Sequence, residues 1–179
     1  MSIVRTIRHR DCAEVPWKNG GGTTRGIAAF PPGATIDDFL WRISMARVAA
    51  DGPFSRFDGI DRVLTVIEGV LELRSADGVT ILDSASPPFG FNGEAAIAGR
   101  PRGGAAIDLN VMVRRGSYQA KVVRMGAGDI AVPRGTSFLC ALAPQRIADA
   151  TLALWDCAEI AADVTATAEA LHIDMTIDR

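Results

Sequence analysis

The chain has 179 residues, of which 48% are apolar and 22% are charged. This composition is typical of one sizeable globular domain or of two small packed halves, and it excludes a disordered chain. The net charge is −2 with the two signs interspersed, so neither a basic surface for nucleic acid nor an acidic tail is indicated.

The beginning of the chain, MSIVRTIRHRDCAE, has no apolar stretch as long as a signal peptide requires. No later window approaches the roughly 18 consecutive apolar residues of a membrane-spanning helix. We therefore expect a cytoplasmic protein that has no membrane and no nucleic-acid partner.

Residues 16–26 read PWKNGGGTTRG, in which three consecutive glycines allow backbone conformations that other residues do not. The segment contains neither GxxxxGK[ST] nor GxGxxG, and no helical pattern follows Thr24, so a nucleotide-binding loop is not indicated. Two interpretations stay open. The segment is a glycine-rich turn between strands, or it is a loop whose backbone approaches a ligand, with Trp17 stacking and Asn19 hydrogen-bonding.

Residues 40–48, LWRISMARV, predict a strand because Trp41 and every second residue after it share one face, with Arg42 on the other. Residues 63–73, VLTVIEGVLEL, are apolar and rich in β-branched residues and predict a second strand. The pair Glu68-Gly69 inside it indicates a turn or a bulge.

Residues 107–115, IDLNVMVRR, alternate most clearly, with Asp108 and Asn110 on the polar face. In a closed barrel that face can look to solvent or to the lumen, and both alternatives stay open. Three more short strands are predicted at 118–125, 137–142 and 151–155. The alanine content of residues 158–171 is compatible with a helix, but the β-branched centre of that segment argues against one.

Glycine- and proline-rich turns separate these strands at short spacing, which predicts an all-β sandwich or barrel. Glycine and proline concentrate in residues 84–104, which indicates a boundary between a first half, 1–90, and a second half, 105–179. Residues 66–73, VIEGVLEL, are similar to part of a cupin's first half, and residues 125–133, MGAGDIAVP, to the GDxxxP pattern of a second half. The predicted fold is bicupin-like, with two cupin-type β-barrel or sandwich halves in one compact chain.

Metal and thiol chemistry find little support. A metal-binding cupin needs two or three histidines and a carboxylate close together, whereas His9 and His172 lie at opposite ends of the chain and are expected at the surface. We expect no metal and no cofactor. The cysteines are odd in number and form no CxxC, so a disulfide framework is not expected, and Cys140 and Cys157 are interpreted as buried packing residues.

Arginines are the more informative set, because a guanidinium in a barrel mouth is well shaped to bind a carboxylate. Arg62 directly precedes the apolar strand, where an inward charge needs a reason. For any single arginine a surface salt bridge is the alternative, for Arg62 with Asp58 or Asp61. For the set we expect at least one ligand contact. The arginines beside aromatic or amide-rich segments are Arg25, Arg42, Arg56, Arg62, Arg114 and Arg115.

Four ordered blocks resemble the HutD/Ves family of cupin-like proteins. The blocks are PWKNGGGTTR at 16–25, WRISMARVAADGPFSRFDGIDRVLTVIEG at 41–69, FGFNGE at 89–94 and DLNVMVRR at 108–115. They cover about the first two thirds of the chain, and their order is highly specific.

The resemblance implies a bicupin β fold without the usual cupin metal site. It also implies binding of a histidine-pathway intermediate, such as N-formylglutamate or urocanate, which limits flux or expression in bacterial histidine utilisation. The family usually has a glutamate after TTR, where this chain has Gly26, so this member is expected to bind differently if that glutamate touches the ligand. The pocket residues carried over are Trp17, Asn19, Thr24, Arg42, Arg62, Phe91 and Asn110.

The leading hypothesis is thus a non-enzymatic protein that binds a small organic acid, with a homodimer left open as its oligomeric state. The alternative is a metal-independent enzyme of cupin type, an isomerase or hydrolase on a similar substrate. Such an enzyme needs a positioned acid or base, for which Glu68, Glu94 and Asp108 are the candidates. An interaction module without a small ligand is a third hypothesis.

Overall fold

The structure is a computed structural model that describes residues 2–132 and 135–178. The described chain is built from strands and one short 3-10 helix, which confirms the all-β prediction. In chain order the elements are β1 (Ile3–Ile7), the 3-10 helix (His9–Asp11), β2 (Glu14–Pro16), β3 (Gly22–Phe30), β4 (Trp41–Val48), β5 (Gly52–Pro53), β6 (Ile60–Ser75), β7 (Gly78–Asp83), β8 (Phe89–Asn92), β9 (Ala98–Arg114), β10 (Tyr118–Met125), β11 (Gly128–Ile130), β12 (Thr136–Ala141), β13 (Gln145–Ile147), β14 (Ala150–Leu152), β15 (Cys157–Ile160), β16 (Val164–Ala166) and β17 (Ala170–Ile177).

The chain divides into two compact units. The central unit is Ala13–Arg115, and the terminal unit combines Met1–Cys12 with Gly116–Arg179. The division differs from the expected halves 1–90 and 105–179. Residues 84–104 lie within the central unit because β8 and the first part of β9 pair there with β6.

The central unit is an antiparallel sheet in the order β2-β3-β4-β9-β6-β7, with β5 paired to β9 and β8 paired to β6. The long strand β6 contacts β8 through its first half and β7 through its second. Between these halves the register against β9 shifts on both sides of Glu68, and Gly69 has a φ of +78°. The bulge predicted at Glu68-Gly69 is therefore confirmed, and only glycine adopts this φ without strain.

Both faces of β4 and β9 are largely buried. Ile43 and Val111 are fully buried on the face that carries the apolar alternation. The opposite face carries polar residues, and these are buried as well, including Ser44 and Asp108. Because burying an unpaired polar group costs free energy, the buried polar residues of this second face indicate a functional site.

The terminal unit has a five-stranded antiparallel sheet in the order β1-β15-β12-β17-β10, and its two strand pairs are β11-β16 and β13-β14. Residues 158–171 form β15, β16 and the start of β17 and no helix, as their β-branched content indicated. The strand predicted at 151–155 ends earlier, at Leu152. Of the GDxxxP-like segment, β11 is described, whereas Pro133 lies outside the described residues.

Two expectations about the terminal unit were wrong. Cys140 on β12 and Cys157 on β15 are directly opposite each other and form a disulfide, although both are fully buried as expected. Cross-strand register brings these thiols together, and spacing along the chain does not reveal it. His172 is not at the surface either, because its place on β17 leaves its side chain only 12% exposed. The described residues contain no helix with the length and hydropathy needed to cross a membrane.

Candidate functional site

Three neighbouring strands of the central sheet place their polar residues in matched rows on one face. One row joins Arg42 on β4, Met112 on β9 and Arg62 on β6. The next row joins Ser44 to Asn110, because cross-strand partners of a sheet point to the same side. The alternative left open for the polar face of β9 is thus decided in favour of an enclosed space.

These rows form one wall of a cavity of about 730 Å³ that lies entirely within the central unit. The lining also includes residues 15–19 in and after β2, residues 53–55 and Phe57 in and after β5, and Ile36. A volume of this size matches the sites that proteins use for small organic ligands. Polar and charged residues of the lining are Lys18, Asn19, Thr24, Arg42, Ser44, Ser55, Arg62, Asp108 and Asn110.

Arg62 is the most enclosed cation of this cavity, with 7% of its surface exposed. Its guanidinium carbon lies 5.7, 5.4 and 4.8 Å from the ring centres of Phe54, Phe57 and Phe91. Its Nη1 donates a hydrogen bond of 3.2 Å to the carbonyl of Ser55, whereas its buried Nε has no hydrogen-bond partner among the described residues. The rings hold the guanidinium in place and leave one N–H donor unused.

Burial lowers the pKa of Arg62 to about 10, an effect that the carboxylate of Asp108 partly opposes. The side chain therefore stays charged at neutral pH. The surface salt bridge considered for it does not form, because Asp61 instead pairs with Arg115 at 2.7 Å. A buried charge without an ion pair costs free energy that a bound anion would recover.

Asp108 is the buried carboxyl group of the cavity, with 1% of its surface exposed. Burial raises its pKa from 3.8 to about 7, although the nearby charge of Arg62 acts to lower it. Its Oδ1 and the Oδ1 of Asn110 have no hydrogen-bond partner in the described part of the chain. A carboxyl group that titrates near neutrality inside a cavity can accept or donate a proton there.

The two other acid or base candidates do not belong to this cavity. Glu68 is exposed at the bulge of β6. Glu94 accepts hydrogen bonds from Arg115 at 3.0 and 3.1 Å and from the amide of Gly59 at 2.7 Å. The hydrogen bonds from Arg115 are the main cause that lowers the pKa of Glu94 to about 2.

The glycine run of residues 20–22 makes a tight turn beside the cavity. Gly20 has a φ of +72°, which favours glycine. Gly22 passes so close to the carbonyl of Arg47 that a Cβ there would overlap it, and the same Cβ would lie 3.1 Å from the ring of Trp17. Gly20 is therefore favoured by the turn and Gly22 by close packing, and Asn19 before the run and Thr24 after it line the cavity.

Trp17 and Thr24 hold the two arms of this turn together. The indole Nε1–H of Trp17 donates a hydrogen bond of 2.7 Å to Oγ1 of Thr24. Asn19 Oδ1 accepts a hydrogen bond of 3.0 Å from the amide of Gly21, so its amide nitrogen is the group left to face a ligand. These hydrogen bonds connect the two arms of the turn beside the cavity.

Six of the seven residues predicted for the site line the cavity, and Phe91 does not. Phe91 lies on β8, is the cross-strand partner of Arg62 and packs against its guanidinium. The prediction from sequence missed Phe54 and Phe57, which line the cavity on the loop after β5. The DGPFSRF segment carries a weak signal for them, because two phenylalanine side chains in a turn are expected to pack against another part of the protein.

Other arginines of the predicted set are engaged elsewhere. Arg25 forms an ion pair of 2.6 Å with Glu14. Arg114 donates a hydrogen bond of 3.3 Å to the carbonyl of Phe39. No group of three or more histidine, cysteine, aspartate or glutamate residues within 2–132 and 135–178 is arranged to hold a metal ion.

Comparison with known proteins assigns the sequence to a family. The HutD family model matches residues 9–173. The chain belongs to the HutD family. Protein Ves of Escherichia fergusonii is 41% identical to this HutD-family chain over 108 residues, which are 59% of this chain and 56% of that protein. An uncharacterized 21.2 kDa protein in the hutC 3′ region of Pseudomonas putida is 34% identical over 130 residues, 68% of this chain and 64% of that protein.

Solved structures extend the likeness over nearly the whole HutD-family chain. HutD from Pseudomonas fluorescens SBW25, in a formate condition, superposes with a TM-score of 0.88 at 27% identity, covering 97% of this chain and 98% of that one. A cupin 2 conserved barrel domain protein from Leptotrichia buccalis superposes with a TM-score of 0.62 at 10% identity, covering 99% and 98%. The second likeness concerns the fold alone and identifies it as cupin-like.

Proposed function

We propose that this HutD-family protein binds a small organic acid in the cavity of the central unit, without catalysis, and thereby regulates bacterial histidine utilisation. The observation that carries the proposal is the buried guanidinium of Arg62, which lines the cavity with an unused N–H donor and no ion pair. A ligand carboxylate would supply both the missing charge and the missing acceptor.

The surroundings of Arg62 fit recognition of an acid. Phe54 and Phe57 lie over the guanidinium of Arg62, which is largely buried, and a low-dielectric surrounding strengthens the attraction between a cation and an anion. Asn19 and Asn110 add amide groups that can orient the remainder of a ligand. An apolar cavity with a few convergent polar groups is the usual design of a small-molecule site.

The link to histidine utilisation rests on the names of the family and of one relative. The family bears the name HutD, and the Pseudomonas putida relative is named for the hutC 3′ region. N-formylglutamate and urocanate are the first ligands to test, in the cytoplasm where such intermediates arise. As part of the same proposal, the central and terminal units are the two halves of a bicupin.

A thermal-shift screen tests the binding step. The panel holds histidine, urocanate, N-formylglutamate, formiminoglutamate and glutamate at millimolar concentration, with and without chelator. A ligand at one hundred times its dissociation constant stabilises the folded protein by about 2.7 kcal/mol, which is readily measured. We expect one acid to raise the melting temperature in the presence of chelator. No shift with any acid would remove the histidine-pathway ligand.

Two variants locate the site. Arg62→Met keeps an unbranched apolar side chain between the phenylalanine rings and should abolish the shift. Arg100→Met removes an exposed arginine from β9 and should leave it intact. A strain with the Arg62→Met allele should then show altered growth on histidine. Unchanged growth would separate acid binding from the regulatory role.

Asp108 favours one second candidate, a metal-independent enzyme. A carboxyl group with a pKa of about 7 in the same cavity as Arg62 is suited to move a proton on a bound acid. Product analysis after incubation with each stabilising acid decides between the two functions. Turnover that is lost in Asp108→Asn would replace the binding proposal by the enzyme.

A further inference from the structure

Gly26 has no side chain at the wall of the cavity, and the guanidinium of Arg42 lies against it. Gly26 on β3 is paired with Ser44, which lies two residues after Arg42 on the same face of β4. A Cβ at Gly26 would lie 3.3 Å from Nη2 of Arg42, and both residues line the cavity. The backbone of Gly26 has no positive φ, so this position does not require glycine for conformational reasons.

The guanidinium of Arg42 has no ion pair and no hydrogen bond within the described residues 2–132 and 135–178. Arg25 on the neighbouring strand, by contrast, is paired with Glu14. Burial lowers the pKa of Arg42, and no carboxylate raises it again. Arg42 is therefore a partly buried cation whose charge is not neutralised by the protein.

Arg42 and Arg62 lie in one row across the sheet, separated by Met112 on the strand between them. Two strand spacings put their Cα atoms about 10 Å apart. Among the residues that line the cavity Lys18 is a third cation, and Asp108 is the carboxyl group. A ligand with one carboxylate, bound at Arg62, would leave Arg42 without a counter-charge.

We propose that Arg42, beside the side-chain-free position of Gly26, is a second anion subsite that makes this protein select acids with two anionic groups. This proposal rests on the proposed function, because the first anionic group is the one bound at Arg62. Gly26 acts as a specificity-determining residue. A carboxylate side chain at position 26 would lie against Arg42 and neutralise it from within the protein.

Calorimetric titration with matched acids tests the selection. The probes are succinate, glutarate and adipate, each beside its monoamide, which has the same size and one carboxylate. A charged hydrogen-bonded contact contributes about 1.5–3 kcal/mol, so at least one dicarboxylate should bind about tenfold or more tightly than its monoamide. In Arg42→Met this ratio should fall to near one.

The pair Gly26→Glu and Gly26→Gln isolates charge from size. Gly26→Glu should lose more of the preference for dicarboxylates than Gly26→Gln, since the two side chains fill the same space and only glutamate neutralises Arg42. If Gly26→Glu does not fold, the ratio in Arg42→Met decides alone.

Three results are decisive against the proposal. Equal binding of acids and monoamides to the unmodified protein would overturn the second subsite while leaving acid binding at Arg62 intact. A ratio unchanged in Arg42→Met, or altered equally by the two substitutions of Gly26, would do the same. Failure of every acid and every monoamide to bind, together with no thermal shift from any acid of the first panel, would overturn the proposed function itself.

Discussion

Replacing Asp108 by asparagine should remove a pH-dependent loss of stability from this protein. Asp108 is fully buried beside Arg62, and burial raises its pKa from 3.8 to about 7. The folded protein therefore holds a proton on Asp108 between these two pH values, whereas the unfolded chain releases it. The stability that protonated Asp108 contributes is fully present below its pKa in the unfolded chain. It is lost as the pH rises through its pKa in the folded protein.

The expected magnitude follows from the same two pKa values. Each pKa unit corresponds to about 1.4 kcal/mol, so the full effect of Asp108 is on the order of 4 kcal/mol. Most of it falls between pH 5 and pH 8, where the contribution of Asp108 should decline by about 3 kcal/mol. Asparagine has the same size and no titration. Arg62 stays charged across this range, since its pKa is about 10.

Urea unfolding at several pH values between 5 and 8 measures the effect. The free energy of unfolding of the unmodified protein minus that of Asp108→Asn should fall steadily across this range. Asp77→Asn, a substitution of an exposed turn residue, controls for the loss of one charge. A difference that stays constant within about 0.5 kcal/mol would refute the reasoning, because Asp108 would then have the same pKa in both states.

Three further predictions concern stability and are measured by urea unfolding. Gly22→Ala should cost about 1–3 kcal/mol, because the added Cβ overlaps the carbonyl of Arg47; a loss below 0.5 kcal/mol would contradict that close approach. The hydrogen bond between Trp17 and Thr24 should show a coupling of about 1 kcal/mol in a double-mutant cycle of Trp17→Phe and Thr24→Val, and additive losses would argue against it. Asp156→Ala should cost about 2–3 kcal/mol, because the buried carboxylate of Asp156 accepts hydrogen bonds from two backbone amides at 2.9 and 3.0 Å and from an arginine at 2.7 Å. An unchanged free energy of unfolding would mean that water takes over these hydrogen bonds in the variant.

Much of the site could be predicted because the signals are local. Alternation along β4 and β9 sorted Arg42 and Asn110 onto the face opposite the apolar core, and that face lines the cavity. The family motif added Trp17 and Thr24 from a segment whose composition alone left a turn and a ligand loop equally open. The alternation of apolar and polar residues along a strand is visible in the sequence, so the two faces of that strand can be predicted.

Phe54 and Phe57 could not be placed in the same way. They lie in a loop without periodicity, and their role appears only when β6 brings Arg62 beneath their rings. Phe91 was assigned to the cavity, yet its position opposite Arg62 across the β6–β8 pair makes it a support for that guanidinium. Loop geometry and strand pairing are non-local, so neither can be read from spacing along the chain.

The sequence by itself determined that the chain is all-β, that it resembles the HutD/Ves family and that arginine is its best candidate for binding an acid. Only the tertiary structure decided which arginines line the cavity. Cross-strand register puts Arg62 and Arg42 in one row, buries Asp108 near Arg62 and sets Gly26 against the guanidinium of Arg42. The physical reason is that alternation is a property of one strand, whereas burial and charge pairing are set by the residues that other strands bring alongside it.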